Sequence, residues 1–315
     1  MEKNNGNADT ENANIGNGNA ENTNIGNVNV KNANIGNANA KNANVGDANG
    51  WNIDIGNVNA GNIDIGNKYV KNLNRIEFLV TMECTGKCKH CSEGNHEGFS
   101  GCIETDAVVT AIREVCRNYE IKSLMTFGGE ALLYPDVVCA IHNTAKKMGV
   151  PQRDLITNGY FSKDSDIIKE VVTKLEESGV ANILLSVDAF HQETIPLEPV
   201  VYFAECVVKS SMNIKLNPAW LVSKEDNNPY NVRTKEIIRE FESLKIPVGI
   251  GNVIFPEGNA LKNLGEYFET DKEYVNPYED NPRDVRTISF SPNGEVLDGN
   301  IYEKGILEII KEYQP

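Results

Sequence analysis

The residues best equipped for chemistry are Cys84, Cys88 and Cys91, in the run Cys84-Thr-Gly-Lys-Cys88-Lys-His-Cys91. Their spacing is C-x3-C-x2-C, and they follow a β-branched and aromatic run, Arg75 to Met82, that reads as a strand. A loop leaving a strand tip can fold three cysteines around one point, and thiolates gathered this way hold an iron–sulfur cluster. Three ligands leave one iron of a four-iron cluster open, which suggests a small molecule bound there. Lys87 and Lys89 lie in the loop and are expected to favour thiolate over thiol. The competing reading is zinc, held by the three cysteines plus His90 or His96. Zinc wants a closed tetrahedron, and its C-x2-C pairs usually recur downstream, where this chain has none.

The loop needs a scaffold. From about residue 71, strand-like runs fall at 75–82, 121–127, 153–157, 182–187, 213–221 and 247–255. Amphipathic helical runs lie between them, near 104–119, 135–148, 164–178, 198–210 and 232–244. Such alternation implies an α/β fold of parallel strands with right-handed crossovers. Six strands are too few for a closed eight-stranded barrel. The segment 287–298 reads as a hairpin around Asn293-Gly294, and a final helix spans about 303–313. In parallel folds ligands sit beyond the carboxyl ends of strands. The second strand ends Met125-Thr-Phe-Gly128-Gly129-Glu130. Its glycines permit close backbone approach, and its carboxylate can accept from an ammonium group. The third ends Ile156-Thr157-Asn158-Gly159 and the fourth Leu185-Ser186-Val187-Asp188, with Ser186 and Asp188 on one face. His191 reads as an ordinary surface histidine.

This set resembles the radical S-adenosylmethionine (SAM) superfamily over roughly residues 75–260, with a weaker match at 287–298. The resemblance implies a partial (β/α)6 barrel. It also implies a [4Fe–4S] cluster on Cys84, Cys88 and Cys91, with the amino and carboxylate groups of SAM on the open iron. An electron from the reduced cluster would cleave SAM to a 5′-deoxyadenosyl radical, which abstracts hydrogen from a peptide or small metabolite. A reductant such as flavodoxin or ferredoxin would supply the electron. Gly128, Gly129 and Glu130 would hold the methionyl amino group, while Asn158, Ser186 and Asp188 would lie around the ribose and carboxylate. Asn217 and the run Phe255-Pro-Glu-Gly-Asn259-Ala are looser matches near the cofactor. No residue is assigned to catalysis on the substrate. Many peptide-modifying relatives carry cysteines for auxiliary clusters after a Ser-Pro-x-Gly turn. Ser291-Pro-Asn-Gly294 is present here, but no cysteine follows Cys206.

Ahead of the barrel, Ile15, Ile25, Ile35, Val45, Ile55 and Ile65 recur every ten residues, with Ala20, Val30, Ala40, Gly50 and Ala60 midway. The unit is five residues, rich in Asn, and neither helical nor strand-like in period. It resembles the pentapeptide-repeat family, which winds as a right-handed β-helix. Its sparse large apolar content suits a disordered tract instead. The expected division is 1–70 repeat, 71–260 radical SAM core and 261–315 C-terminal segment. A formal charge of −15 argues against duplex nucleic acid. No run of apolar residues approaches a membrane span, and no signal peptide is visible. Free thiols and an oxygen-sensitive cluster suit a reducing cytoplasm. Cys116, Cys139 and Cys206 read as small buried hydrophobes, and Cys102 as structural or incidental. Two other functions compete with the enzyme: a repeat-mediated scaffold with a degenerate barrel, and ferredoxin-like electron transfer.

Overall fold

A computed structural model describes residues 67–315 except 95, 270–273, 275 and 277–279, together with the backbone of seven short strands in the repeat. Those seven run from Asn12–Ile15 to Asn52–Ile55 and pair in parallel. Ile15 pairs with Ile35 and Ile35 with Ile55, a step of 20 residues or four five-residue units. Ala20 likewise pairs with Ala40, and Ile25 with Val45. The expectations for the rest of the repeat lie outside the described residues. By compactness the chain divides into two units, Met1–Asp64 and Ile65–Pro315.

The second unit is built on β1 (Arg75–Leu79), β2 (Ser123–Phe127), β3 (Gln152–Thr157), β4 (Asn182–Leu185), β5 (Asn213–Leu216) and β6 (Thr287–Phe290). They form one all-parallel sheet in the order β5-β4-β3-β2-β1-β6. The connecting helices are α1 (Thr105–Asn118), α2 (Pro135–Lys147), α3 (Ser165–Ser178), α4 (Leu197–Val208) and α5 (Pro229–Arg239), with α6 (Ile306–Glu312) at the end. Helix α1 shows why they form. Val108, Ala111, Ile112 and Val115 recur at helical spacing, and all four are buried. Helix α3 opens on Asp164, whose carboxylate caps the N–H groups of Asp166 and Ile167, and closes on left-handed Gly179 at φ 87°.

The two faces of the sheet differ. Ile76, Phe78, Leu124, Leu155 and Ile183 point into the helical layer and are fully buried. The opposite face carries a row in register that is polar but for Met125: Ser289, Glu77, Met125, Asp154, Asn182 and Asn213. Two residues further along it carries a row that is apolar through Leu79, Phe127, Ile156 and Leu184, all half-buried, and ends at exposed Lys215 on β5. Two residues beyond that lie the strand tips that bear the site.

The structure departs from the sequence reading at the sixth strand. Residues 247–255 join β5 only through a bridge between Leu216 and Val248 and a ladder pairing Ala219–Trp220 with Asn252–Val253. The cause is local. Gly251 takes φ 76°, its Cβ position lies 2.2 Å from Pro218 O, and Trp220 Nε1 donates to Ile250 O where a ladder bond would run. The sheet's sixth strand is instead the first arm of the expected hairpin. Thr287–Phe290 pairs with β1, and Phe290 stacks on Phe78 at 4.7 Å. The Asn293-Gly294 turn forms as expected, with Gly294 at φ 87°, but its second arm, Glu295–Val296, pairs with Gly299–Asn300. Asn67 already belongs to this unit, because its amide donates to the carbonyls of Ile310 and Tyr313 at 2.7 and 2.8 Å.

Candidate active site

The cysteine loop is pinned to the tip of β2 before it begins. Gly129 N–H donates to Thr81 O at 2.8 Å and Glu130 N–H to Glu83 O at 2.7 Å. A Cβ on Gly128 would stand 2.7 Å from Thr81 O, and one on Gly129 2.2 Å from Glu83 O. The two glycines are therefore required by the chain's own approach, whatever ligand lies above. Gly129→Ala should cost at least about 2 kcal/mol in denaturant unfolding, because backbone rather than a flexible side chain must move. Wild-type stability in that variant would show that the strand tips are slack.

The three thiols lie within electrostatic reach of one another. Gly86 N–H donates to Cys84 Sγ at 3.3 Å, and the Asn158 amide lies 3.8 Å away. His96 Nε2 is 3.2 Å from Cys91 Sγ, and its Nδ1 donates to Met82 O at 2.7 Å. Cys88 is 8% exposed. Burial pushes the Cys84 thiol up to about 12 and Cys91 up to about 11. This corrects the expectation for the loop lysines. Lys87 turns outward to Glu97 at 3.9 Å, and Lys89 is taken by Glu193 at 3.0 Å. Burial thus wins over remote cations, and three converging thiols lack a positive neighbour of lysine type. An iron cluster, itself cationic toward its ligands, fits such a donor set.

Glu130 is 1% exposed. One carboxylate oxygen accepts from Leu132 N–H at 2.9 Å and the Thr157 hydroxyl at 2.7 Å, and the other from Asn158 N–H at 2.8 Å. Burial nevertheless pushes Glu130 up to about 7, because these neutral donors only partly replace water. Asn158 donates to Thr85 Oγ1 at 3.2 Å, tying the β3 tip to the cysteine loop. The Ser186 backbone donates to Thr157 O at 2.9 Å. No protein group among the described residues takes up its hydroxyl. Asp188 is wholly buried, and its carboxylate accepts from the N–H groups of Phe190, His191 and Ala219.

Cys84, Cys88, Cys91, Glu130 and Asn158 are thus brought into one contact network, with Ser186 on the neighbouring strand tip. Asn217 N–H donates to Leu185 O at 2.7 Å. The run containing Asn259 closes on the loop: Asn259 N–H donates to Cys91 O at 2.9 Å and its amide to Gly94 O at 2.9 Å. Gly258 at φ 51° permits this, since a Cβ there would lie 2.3 Å from Ser92 O. The reading of His191 as a surface residue is corrected. Its side chain is 16% exposed, and its Nδ1 lies 2.9 Å from both Asp188 oxygens. The available signal was Asp188 three residues ahead at a helix cap. His96 was singled out only as a possible zinc ligand, and its contact with Cys91 is decided by the fold of the loop.

With this geometry in hand, comparison with known proteins is direct. The model of the radical SAM superfamily matches residues 78–215. A probable GTP 3′,8-cyclase of Saccharolobus islandicus (strain L.S.2.15 / Lassen #1) is 25% identical over 218 residues, covering 64% of this chain and 67% of that protein. A GTP 3′,8-cyclase of Clostridium perfringens (strain SM101 / Type A) is 24% identical over 160 residues, covering 48% of this chain and 47% of that protein. Streptococcus suis SuiB bound to S-adenosylmethionine shares the fold at a TM-score of 0.52 and 14% identity. That match covers 77% of this chain and 66% of SuiB, just under two thirds of its length. SuiB bound to the precursor peptide SuiA gives a TM-score of 0.51 at 12% identity, covering 85% of this chain and 73% of that one. Among the described residues no helix is long and apolar enough to cross a membrane. Residues 78–215 thus match a radical SAM domain, and with the GTP 3′,8-cyclase relatives this supports an enzyme of the radical SAM class that uses a [4Fe–4S] cluster and SAM.

Proposed function

We propose that Cys84, Cys88 and Cys91 hold the cluster, and that Gly128, Gly129, Glu130, Asn158 and Ser186 form the SAM site, acting on a peptide substrate. The observation that carries this is the buried Glu130 carboxylate beside buried Cys88 and the half-buried Cys84 and Cys91, with no lysine or arginine bonded to it among the described residues. Bound there, the cluster supplies the electron for reductive SAM cleavage. The chain's own residues do the rest. Glu130 offers a carboxylate to the SAM ammonium, and burial excludes the water that would weaken that pairing. Ser186 offers a free hydroxyl. Asn158 holds the loop at Thr85, and Asp188 positions the β4 tip because its own bonds are filled.

Peptide is favoured over nucleotide by the row beneath these tips. Leu79, Phe127, Ile156 and Leu184 form an apolar floor, and the row's charge, exposed Lys215, lies at its β5 edge. SuiB, which shares the fold, is bound to a precursor peptide. Anaerobic reconstitution with iron and sulfide, then dithionite and SAM, should release 5′-deoxyadenosine. Deuterium from a peptide substrate should appear in it. Turnover of GTP by the reconstituted chain would overturn the peptide reading.

In this reading a flavodoxin or ferredoxin delivers the electron in a reducing cytoplasm, and neither duplex nucleic acid nor membrane takes part. The Asn-rich repeat serves docking or self-association rather than cofactor chemistry. A chain beginning at Asn67, which keeps the bonds to Ile310 and Tyr313, should cleave SAM at the full-length rate. Lost cleavage with an intact circular dichroism spectrum would assign the repeat to the active site.

A further inference from the structure

The six strands of the sheet contain three basic residues, Arg75, Arg153 and Lys215. Two of them are taken. Arg75 Nε meets Glu77 at 2.5 Å, and Arg153 Nε donates to Gly179 O at 2.7 Å. Lys215 is exposed and has no hydrogen-bond or ion-pair partner among the described residues. That is unusual company for a lysine in a chain where 45 acidic residues outnumber 30 lysines and arginines.

Strand β5 sets its position. Lys215 pairs in register with Leu184 and shares the open face with the apolar row. Ser186 and Asn217 stand two residues further along their strands, about 7 Å at roughly 3.3 Å per residue. Lys215 therefore lies one pleat below the level of the SAM site. Leu216 N–H donates to Pro247 O at 3.0 Å and Gly249 N–H to Leu216 O at 2.8 Å, which ties the segment 247–250 alongside β5. A Cβ on Gly249 would stand 3.7 Å from Lys215 Cδ, so the lysine stem runs against this segment. The residues flanking Gly249 are apolar and open: Val248 is 43% exposed and Ile250 87%. Ile250 is nonetheless anchored, because its carbonyl accepts from Trp220 Nε1 at 2.9 Å.

We propose that Lys215 determines substrate specificity: its ammonium pairs with a carboxylate of an acidic peptide, and Val248 and Ile250 meet apolar residues next to that carboxylate. A carboxylate carries one charge and is matched by one cation, whereas a triphosphate would leave most of its charge unmatched here. A peptide laid over the apolar floor also displaces water from around the pair, which strengthens it. The inference rests on the peptide reading above. The ordinary use of a lysine on an edge strand is to discourage pairing with another chain. Charge of either sign serves that purpose, so a substitution that reverses the charge separates the two roles.

The test uses the full-length chain, reconstituted anaerobically and supplied with SAM but no reductant, so that peptides bind without turnover. The probes are a library of short random peptides ending in a free carboxylate and the same library amidated. Wild type should retain carboxylate-bearing peptides about fivefold over neutral ones, as for an ion pair still reached by water. In the amidated library that preference identifies an Asp or Glu side chain. Confined to the free-acid library, it identifies the peptide's own terminus. Lys215→Met should lose the preference at unchanged iron content, and Lys215→Glu should turn it toward Lys and Arg. An edge guard alone would leave selection by Lys215→Glu like that of wild type. No carboxylate preference in wild type, or the same preference in both variants, overturns the proposal. A wild-type chain that retains no peptide from either library sinks the peptide reading, and this inference with it.

Discussion

Cys88→Ala should take up no [4Fe–4S] cluster and release no 5′-deoxyadenosine from SAM, a loss of all activity rather than a reduction. Three thiolates must anchor three irons, and Cys88 is the middle ligand of the loop. The variant should still fold. Cys88 is one small buried side chain, and the loop is pinned elsewhere, by Gly129 and Glu130 on one side and Asn259 on the other. The checks are the iron–thiolate charge-transfer absorption after reconstitution and chromatography of the SAM products. Cys116→Ala and Cys139→Ala provide the contrast. Both side chains pack against the hydrophobic core, so their loss should lower stability and leave cluster and cleavage intact. Full cleavage by Cys88→Ala would contradict the cluster assignment.

Glu130→Gln should keep its iron and bind SAM about ten- to a hundredfold more weakly, the worth of one charge-assisted hydrogen bond at about 1.5–3 kcal/mol. Glutamine is preferred to alanine because it leaves fewer buried donors at Leu132, Thr157 and Asn158 without an acceptor. The pH dependence gives a second readout. Burial raises Glu130 to about 7 in the free chain, and an ammonium partner would pull it back down. Only the ionised form binds the cation. SAM affinity should therefore fall as pH drops through 7, by about fivefold between pH 7 and 6, from the change in ionised fraction. The Glu130→Gln chain should lack this step, so the difference between the two profiles isolates Glu130 from titrations of SAM itself. Parallel profiles would return Gly128-Gly129-Glu130 to a purely structural turn.

Much of the site was legible because it is local. The cysteine loop, Gly128-Gly129-Glu130, Asn158-Gly159 and Ser186 each sit at the carboxyl end of a strand announced by its own apolar run, and parallel α/β topology brings such ends to one edge. Helix positions were legible for the same reason. The stripe of α1 and the caps of α3 lie within a few residues of what they determine.

What tertiary structure decided involves partners distant in sequence. No local pattern places Thr287–Phe290 beside Arg75–Leu79, since that pairing spans over two hundred residues and depends on Phe290 meeting Phe78. The loop lysines looked like thiolate stabilisers by proximity in sequence. The fold sends one to Glu97 and the other to Glu193, and burial then decides the thiol protonation. His191 looked like a surface residue because a lone polar residue on a short helix carries no burial signal. Asp188, capping that helix and held by Ala219 from beyond β5, draws the ring inward onto its carboxylate. Sequence by itself determined which residues can do the chemistry and which strand ends carry them. Tertiary packing decided their electrostatics, because desolvation and hydrogen bonding depend on neighbours that only the folded chain brings together.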